Sequence, residues 1–352
     1  MSKTLKIVIP MAGWGTRMRP HTWSKPKPLV GVAGKTALDY LMDMFKTVSV
    51  QQKIEYIFIL GPYLGELQIP PFMEEHYPDI KAHYVVQGEM KGQSHALYLA
   101  RQYLTGPMIM CFSDTLIETD FSFLDREKSD AVVWVKAVPD PRRFGVAEVN
   151  QDGWVTRLIE KPKTMENNLA LVGCYYFKSS EDLMSAIEEQ MQRDLRLNNE
   201  FYLVDAVNIM LERRALICIE QTTTWLDTGT IEATLETNRY FLERMQNGKL
   251  AETQGSGLPT PPRPGVKVNL PVYIHETAEI SDSEIGPFAS IGANCRIEGS
   301  RIEDSIIEAD CEIRNIALKG SMVGRQAKLQ GNGGKEILSV NIGDDSFLNS
   351  GE

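Results

Sequence analysis

From Leu5 to about Met245 the chain alternates short β-rich apolar runs with amphipathic stretches. The apolar runs predict strands, and apolar residues at every third or fourth position predict helices. Because this alternation is typical of strands joined by crossover helices, we expect an α/β domain with a mixed, mostly parallel sheet. The predicted strands cover 5–10, 54–60, 82–87, 108–112 and 131–136, and the predicted helices cover 37–48, 93–104, 183–191 and 231–245.

A different pattern follows a segment rich in proline and glycine, which we predict to be a linker at 247–271. Beyond the linker, single aliphatic residues recur every five or six positions. That step is typical of a hexapeptide solenoid, in which each unit supplies one short strand and one inward side chain. Separate sandwich strands, the alternative, would be spaced about 8–12 residues apart. We therefore predict an α/β domain at 1–246 and a parallel β-helix at 272–352. Its inward positions are Ile274, Ile280, Ile285, Ile291, Ile297, Ile302, Ile307, Ile313, Leu318, Val323 and Leu329.

The charge balance narrows the possible partners. The chain has 37 basic and 47 acidic side chains, a net charge of −10. Because such a surface repels polyphosphate backbones, we expect no nucleic-acid partner. No apolar run reaches the roughly 18 residues that span a bilayer, so we expect no membrane partner and a cytoplasmic location. The five cysteines lack metal-ligand spacing and are expected to be buried thiols.

Candidate chemistry begins in a loop directly after the first strand. Gly13 and Gly15 let the backbone approach a phosphate, and their N–H groups are free of side-chain interference. Arg17, Lys25 and Lys27 follow within the same segment, so we expect fixed cations beside a phosphate-binding loop. A solvated basic loop is the alternative interpretation.

A series of short blocks along the first domain resembles the sugar-1-phosphate nucleotidylyltransferases, with the nearest match to the glucose-1-phosphate thymidylyltransferases and uridylyltransferases. The resemblance implies a Rossmann-like nucleotidyltransferase fold and the reaction of an NTP with a sugar 1-phosphate to give NDP-sugar and pyrophosphate. The five-residue steps of the solenoid resemble the left-handed β-helices that follow such domains. The blocks are Gly13 to Arg17, Pro26-Lys27-Pro28-Leu29, Gln87 with Gly92, Ser113-Asp114, Phe144-Gly145, Glu160-Lys161-Pro162, Val172-Gly173 and Trp225-Leu226-Asp227-Thr228-Gly229-Thr230.

The resemblance implies four catalytic residues. Arg17 and Lys27 would hold the triphosphate and the departing pyrophosphate, and Asp114 and Asp227 would bind Mg²⁺. These residue types suit in-line attack on a phosphorus atom, which needs positioned cations more than a general base. Carboxylate oxygens are also the ligands that Mg²⁺ prefers. The alternative for both aspartates is that they cap helices.

Further residues would contact the base and the sugar. Gln87 can offer a donor and an acceptor to a uracil or thymine edge. Lys161 resembles the lysine that contacts the sugar phosphate, and Glu160 the acidic residue that binds sugar hydroxyls, a surface salt bridge being the alternative. His95 is expected to pack on a helix. The predicted nucleotide-binding residues are Ala12, Gly13, Gly15, Thr16, Gln87 and Gly92, and the predicted sugar-phosphate-binding residues are Gly145, Glu160, Lys161 and Val172.

The hypothesis is a homo-oligomeric, Mg²⁺-dependent enzyme that uses UTP or dTTP with glucose 1-phosphate. The alternative from another class is a catalytically silent sugar-nucleotide-binding regulatory protein. Loss of Arg17 or Lys27 would have favoured that alternative, and both are present. The β-helix is expected to serve in oligomer contact, regulation or capping. An acyltransferase site there would need a histidine base, and His275 stands only at the start of the repeat.

Overall fold

The computed structural model describes residues 4–49, 53–248, 265–334 and 336–350. The described chain divides into two compact units. The first unit takes its residues from Met1–Gly13 and Leu41–Trp225, and the second from Trp14–Tyr40 and Leu226–Glu352. Most of the predicted linker at 247–271 falls on 249–264, which lie outside the described residues. The domain limits at 246 and 272 stay a prediction.

The helices and longer strands up to Gln246 belong to the α/β part of the chain, and short strands follow one another after Lys267. In chain order the elements are β1 Leu5–Met11, β2 Gly31–Val32, β3 Lys35–Thr36, α1 Ala37–Met44, β4 Ile54–Leu60, α2 Leu64–His76, β5 Ala82–Val86, α3 Gln93–Leu99, β6 Met108–Cys111, β7 Thr115–Ile117, β8 Ala131–Ala137, β9 Gly145–Val149, β10 Val155–Glu160, β11 Leu169–Phe177, α4 Ser180–Gln192, α5 Leu203–Glu212, β12 Ile217–Gln221, β13 Trp225–Asp227, α6 Ile231–Gln246, β14 Lys267–Val268, β15 Val272–Ile274, β16 Glu279–Ser281, β17 Glu284–Ile285, β18 Ala289–Ile291, β19 Arg296–Glu298, β20 Arg301–Glu303, β21 Ile306–Ile307, β22 Glu312–Arg314, β23 Ala317–Lys319, β24 Met322–Val323, β25 Lys328–Gln330, β26 Ile337–Leu338, β27 Asn341–Ile342 and β28 Phe347–Asn349.

The first unit is built on a mixed sheet of nine strands among the described residues. Strands β6, β1, β4 and β5 lie side by side and run parallel. Strand β11 runs antiparallel to β6, β8 and β9, and β12 returns parallel to β8. The central strands are apolar along their length because helices cover both faces of such a sheet, and Ile7, Val8 and Ile9 are all fully buried. The predicted mixed, mostly parallel α/β sheet is confirmed.

The predicted helices and strands are present in the structure at closely similar positions. The pattern missed helices α2 and α5 and strands β9 to β12. Helix α2 has Pro70 and Pro71 in its interior, which removes the usual sequence sign of a helix. Strands β9, β10 and β11 follow one another without an intervening helix, so they lack the strand-helix-strand rhythm on which the prediction was based.

The second unit contains a left-handed parallel β-helix. Within the described residues its strands stack into three parallel five-stranded sheets. The eleven predicted inward residues all lie in one buried apolar cluster. Ile274 pairs with Ile291 and Ile291 with Ile307, so successive coils take 17 and then 16 residues. One or two of the three six-residue units in each coil therefore lose a residue, which explains the five-residue steps. The predicted β-helix is confirmed.

None of the helices in the described part of the chain is both long enough and apolar enough to cross a membrane.

Candidate active site

The first unit gathers predicted site residues at one edge of its sheet. Ala12 and Gly13 follow β1, Gln87 follows β5, and Asp114 comes three residues after β6 ends. These three strands run parallel in one sheet, with β4 between β1 and β5, so their carboxyl ends lie along the same edge. The chain adds β4 and β5 on one side of β1 and β6 on the other. The switch in strand order therefore falls between β1 and β6, where ligands bind in open α/β sheets.

Gln87 is held in a fixed orientation at this edge. Its side chain is buried, and its Nε2 lies 3.1 Å from the Gly92 carbonyl oxygen and 3.2 Å from His95 Nδ1. His95 accepts the second of these bonds when its Nδ1 carries no proton. Burial and then the charge of Lys91 lower the pKa of His95, which favours the neutral ring. Because an amide nitrogen can only donate, that ring accepts at Nδ1 and carries its proton on Nε2. Both amide protons of Gln87 are thereby used, so this side chain meets a ligand as an acceptor.

A second group of predicted residues surrounds the end of β10. Lys161 follows the strand with a φ of +46°, in the left-handed region that non-glycine residues rarely adopt. Its backbone N–H donates to the Phe144 carbonyl oxygen at 3.0 Å. Its Nζ lies 3.4 Å from the Tyr202 hydroxyl and 5.3 Å from the centre of the Tyr202 ring. The Lys161 Nζ is 3.9 Å from Glu160 Oε1, a loose ion pair that leaves the ammonium able to bind a ligand.

Glu160 lies in a partly buried acidic environment. Burial raises the pKa of Glu160, Lys161 opposes that rise, and Asp205 and Glu200 add to it. A Cβ at Gly145 would lie 3.1 Å from Glu160 Oε2 and 2.9 Å from a methyl group of Leu171. A side chain at Gly145 would therefore intrude on the Glu160 carboxylate.

The predicted blocks around these residues contact one another within the first unit. The Phe144 and Trp225 rings meet edge to face, with centroids 4.9 Å apart. Val172 is buried, and its carbonyl oxygen accepts a hydrogen bond from Thr115 Oγ1 at 2.8 Å. Val172 thereby holds the strand after Asp114 in place.

Tyr202 is a site residue that sequence reasoning missed. It is buried beside Lys161, and its position directly precedes helix α5. Glu200 and Asp205 flank it in the sequence, and this pair of acidic residues was the available signal. Burial raises the pKa of Asp205, so this carboxyl also lies in the partly buried environment.

In the second unit, Gly15 shapes the loop that carries Thr16 and Arg17. Its φ is +60°, and an added Cβ would lie 3.0 Å from Thr22 Cγ2. The Gly15 carbonyl oxygen accepts hydrogen bonds from the Met18 N–H and from Thr22 Oγ1, both at 2.8 Å. These bonds close a tight turn that leaves Thr16 and Arg17 exposed to solvent. The turn needs glycine both for its backbone angle and for its space.

Lys25 does not take the predicted place beside a phosphate. Its side chain is 0% exposed, and its Nζ pairs with Glu308 and, at 3.1 Å, with Asp344 Oδ1. A lysine enclosed by two carboxylates cannot reach a ligand, so that prediction is wrong for Lys25. Lys27 is half-buried, and its carbonyl oxygen accepts from the Val30 N–H at 3.0 Å.

The two aspartates proposed as metal ligands do not cap helices. Asp227 Oδ1 accepts from the Gly229 N–H at 2.6 Å, but the N-cap of the following helix α6 is Thr230. Asp114 is followed by strand β7. No cluster of three or more His, Cys, Asp or Glu side chains that could hold a metal occurs in the described ranges. One or two carboxylates suit Mg²⁺, which takes its remaining oxygen ligands from phosphates and water.

Comparison with known proteins shows the family to which the chain is similar. The Nucleotidyl transferase family model matches residues 6–244. A glucose-1-phosphate thymidylyltransferase of Streptomyces antibioticus is 30% identical over 350 residues, covering 92% of this chain and 93% of that protein. The low-salt glycan biosynthesis nucleotidyltransferase Agl11 of Haloferax volcanii is 30% identical over 352 residues, covering 92% and 94%.

A solved structure of UDP-glucose pyrophosphorylase complexed with UDP-glucose is similar in fold. It superposes with a TM-score of 0.56 at 21% identity, covering 69% of this chain and 100% of that chain. The chain belongs to the nucleotidyl transferase family.

Proposed function

We propose that the protein is a sugar-1-phosphate nucleotidylyltransferase that uses UTP or dTTP and glucose 1-phosphate, with Mg²⁺ as cofactor. The observation that carries the proposal is the placement of Ala12, Gln87 and Asp114 after parallel strands of one sheet, at the edge where the strand order switches. The relatives named as thymidylyltransferases and nucleotidyltransferases support the same reaction class.

The hydrogen bonds of Gln87 support a base that carries a ring N–H. Because its two amide N–H groups donate to the Gly92 carbonyl oxygen and to His95 Nδ1, the Gln87 side chain can accept a hydrogen bond from a ligand but has no N–H left to donate. Uracil and thymine present an N3–H to such an acceptor, whereas cytosine and adenine present a bare ring nitrogen at the corresponding position. Gln87 therefore favours UTP and dTTP over CTP and ATP.

The group around Lys161 supports a sugar phosphate as the second substrate. The Lys161 side chain is 49% exposed and its ammonium contacts the Tyr202 hydroxyl, so it can bind a phosphate oxygen without first breaking a tight ion pair. The Glu160 carboxylate lies next to it and can accept hydrogen bonds from hydroxyl groups. An anion-binding ammonium beside a hydroxyl-binding carboxylate matches a sugar 1-phosphate.

The reaction would be a single in-line displacement. An oxygen of the sugar phosphate attacks the α-phosphorus, the bond from that phosphorus to the bridging α–β oxygen breaks, and pyrophosphate leaves with that oxygen. Arg17 and Lys27 would stabilise the charge of the triphosphate and the leaving group. Asp114 and Asp227 would hold Mg²⁺, which neutralises phosphate charge when bound.

The experiment is an activity matrix of NTPs against sugar 1-phosphates, with Mg²⁺ present and pyrophosphate release as the readout. We expect release with UTP or dTTP and glucose 1-phosphate, and no release without a sugar phosphate. The Asp114→Ala variant provides the matched control for contaminating activity. Tight NDP-sugar binding by calorimetry, with no pyrophosphate release across the matrix, would overturn the proposal in favour of a regulatory binding protein.

A further inference from the structure

The ion cluster around Lys25 lies within the second unit and joins two distant parts of the chain. Lys25 belongs to the loop between Gly15 and Gly31, whereas Glu308 and Asp344 belong to coils of the β-helix. All three side chains are buried or nearly so. One cation is therefore enclosed by two carboxylates that are separated from it by most of the chain.

Hydrogen bonds extend the same contact along the loop. Ser24 Oγ donates to Asp344 Oδ2 at 2.7 Å, and the Gly31 N–H donates to Glu308 Oε1 at 3.0 Å. His21 Nε2 lies 2.6 Å from Asn341 Oδ1. The loop is thus attached to the β-helix near its middle and at its end.

The start of the loop is attached by apolar packing. Met18, which directly follows Arg17, is fully buried in a cluster with Val30, Leu235, Ile306 and Met322. Ile306 and Met322 lie on neighbouring strands β21 and β24 of the β-helix. The backbone directly after Arg17 and on either side of Lys27 is therefore fixed by β-helix residues, while the Arg17 side chain itself stays exposed.

Stability alone is a weak reason to bury these charges. Removing an ion pair from water costs about as much free energy as the attraction between its buried charges supplies. Apolar residues of similar volume often stabilise a fold equally well. What an ion cluster adds is a defined geometry, because each carboxylate oxygen accepts from a particular donor. Glu308 meets Lys25 and the Gly31 N–H at once, which fixes the short segment that contains Lys27.

We propose that Lys25, Glu308 and Asp344 are positioning residues for nucleotidyl transfer, through which the β-helix holds the loop bearing Arg17 and Lys27. This inference rests on the function proposed above. It gives the β-helix a part in triphosphate binding that none of the roles expected from the sequence includes.

The first test is Glu308→Gln, which keeps an acceptor for the Gly31 N–H and removes the charge that faces Lys25. We expect the KM for the NTP to rise and kcat to fall, together by about tenfold or more in kcat/KM, because small displacements of catalytic groups are costly. The KM for the sugar 1-phosphate should stay within about twofold, since Lys161 and Glu160 lie in the other unit.

Asp304→Asn provides the matched control. Asp304 pairs with Arg239 of helix α6, so the variant removes another ion pair between the β-helix and a neighbouring segment. It leaves the loop contacts intact and should lower the thermal midpoint without changing the KM for the NTP. Equal kinetic effects of Asp304→Asn and Glu308→Gln would show that general stability, and not loop position, is responsible.

The triple variant Lys25→Met/Glu308→Gln/Asp344→Asn separates a contribution to stability from the positioning of the loop. Removing all three charges relieves the buried unpaired groups, so its thermal midpoint should recover relative to Glu308→Gln. The raised KM for the NTP should persist, because the defined geometry is still missing. Kinetic constants that return to wild-type values together with the thermal midpoint would overturn the proposal.

Ser24→Ala is a milder perturbation that leaves every charge in place and should fold if the stronger variants do not. It removes one hydrogen bond to Asp344, and we expect a two- to fivefold rise in the KM for the NTP, roughly the effect of one such bond. An unchanged KM in this variant would contradict the proposal. If the wild-type protein releases no pyrophosphate with any substrate pair, the proposed function fails, independently of the positioning role.

Discussion

Lys161 combines a strained backbone with a proposed phosphate-binding ammonium, and substitution can separate the two. Its φ is +46°, which alanine also tolerates poorly and glycine adopts readily. We compare Lys161→Ala with Lys161→Gly. Both variants remove the ammonium that lies 3.4 Å from the Tyr202 hydroxyl, but only the glycine variant relieves the backbone.

The expected magnitudes follow from these two contributions. A hydrogen bond to a charged group contributes about 1.5–3 kcal/mol, so kcat/KM for the sugar 1-phosphate should fall roughly 10- to 150-fold in both variants. Left-handed backbone costs alanine about 1–2 kcal/mol, and glycine's extra freedom in the unfolded chain returns about 0.5–1 kcal/mol of that difference. The glycine variant should therefore be up to about 1 kcal/mol more stable than the alanine variant.

The assay measures initial rates of pyrophosphate release with each substrate varied in turn, together with thermal or urea unfolding. Lys163→Ala, two residues later and exposed, controls for the loss of a surface lysine. The KM for the NTP should stay the same in both Lys161 variants. A kcat/KM for the sugar phosphate within about twofold of wild type in Lys161→Ala would refute the assigned role. A glycine variant clearly less stable than the alanine variant would refute the argument from strain.

Three further outcomes are expected. Asp114→Ala and Asp227→Ala should each abolish turnover with little change in the thermal midpoint, and near-normal rates in both would remove the metal assignment. Gln87→Leu should raise the KM for the NTP but not for the sugar phosphate, as steady-state kinetics would show. Burial lowers the pKa of His21 despite its bond to Asn341 and the nearby Glu308 and Asp344. His21 therefore takes up a proton more readily when unfolded, and stability should fall as the pH drops below about 6.5. The fall in thermal midpoint between pH 7.5 and 5.5 should be smaller in His21→Gln.

The β-helix was predictable because its stabilising contacts join residues that are close in sequence. Each inward residue, such as Ile285 or Ile302, recurs at a fixed step, and its burial depends on the next coil of the same pattern. The strand-helix alternation of the first unit was predictable for the same reason. Helix α2 was missed because Pro70 and Pro71 in its interior are residues that normally end a helix. Its buried side chains are set by tertiary packing.

The burial of the Lys25 side chain was not predictable from the residues next to it in sequence. In sequence it differs little from Lys27, since each lysine precedes a proline in the same short segment. What distinguishes them is a contact between Lys25 and Glu308, 283 residues further along the chain. Tyr202 was missed for a related reason, because only the fold brings its hydroxyl to Lys161. Resemblance identified the blocks, whereas tertiary contacts decide which side chains can meet a ligand.

The most direct test of the central claim follows the phosphorus atoms through the reaction. The protein is incubated with Mg²⁺, glucose 1-phosphate and either UTP or dTTP labelled at the α- or at the γ-phosphate. The proposed nucleotidyl transfer predicts that the α-label appears in the NDP-sugar and the γ-label in pyrophosphate, in equal amounts. A γ-label found in inorganic phosphate or on the sugar, with the α-label left in a nucleoside diphosphate, would contradict it.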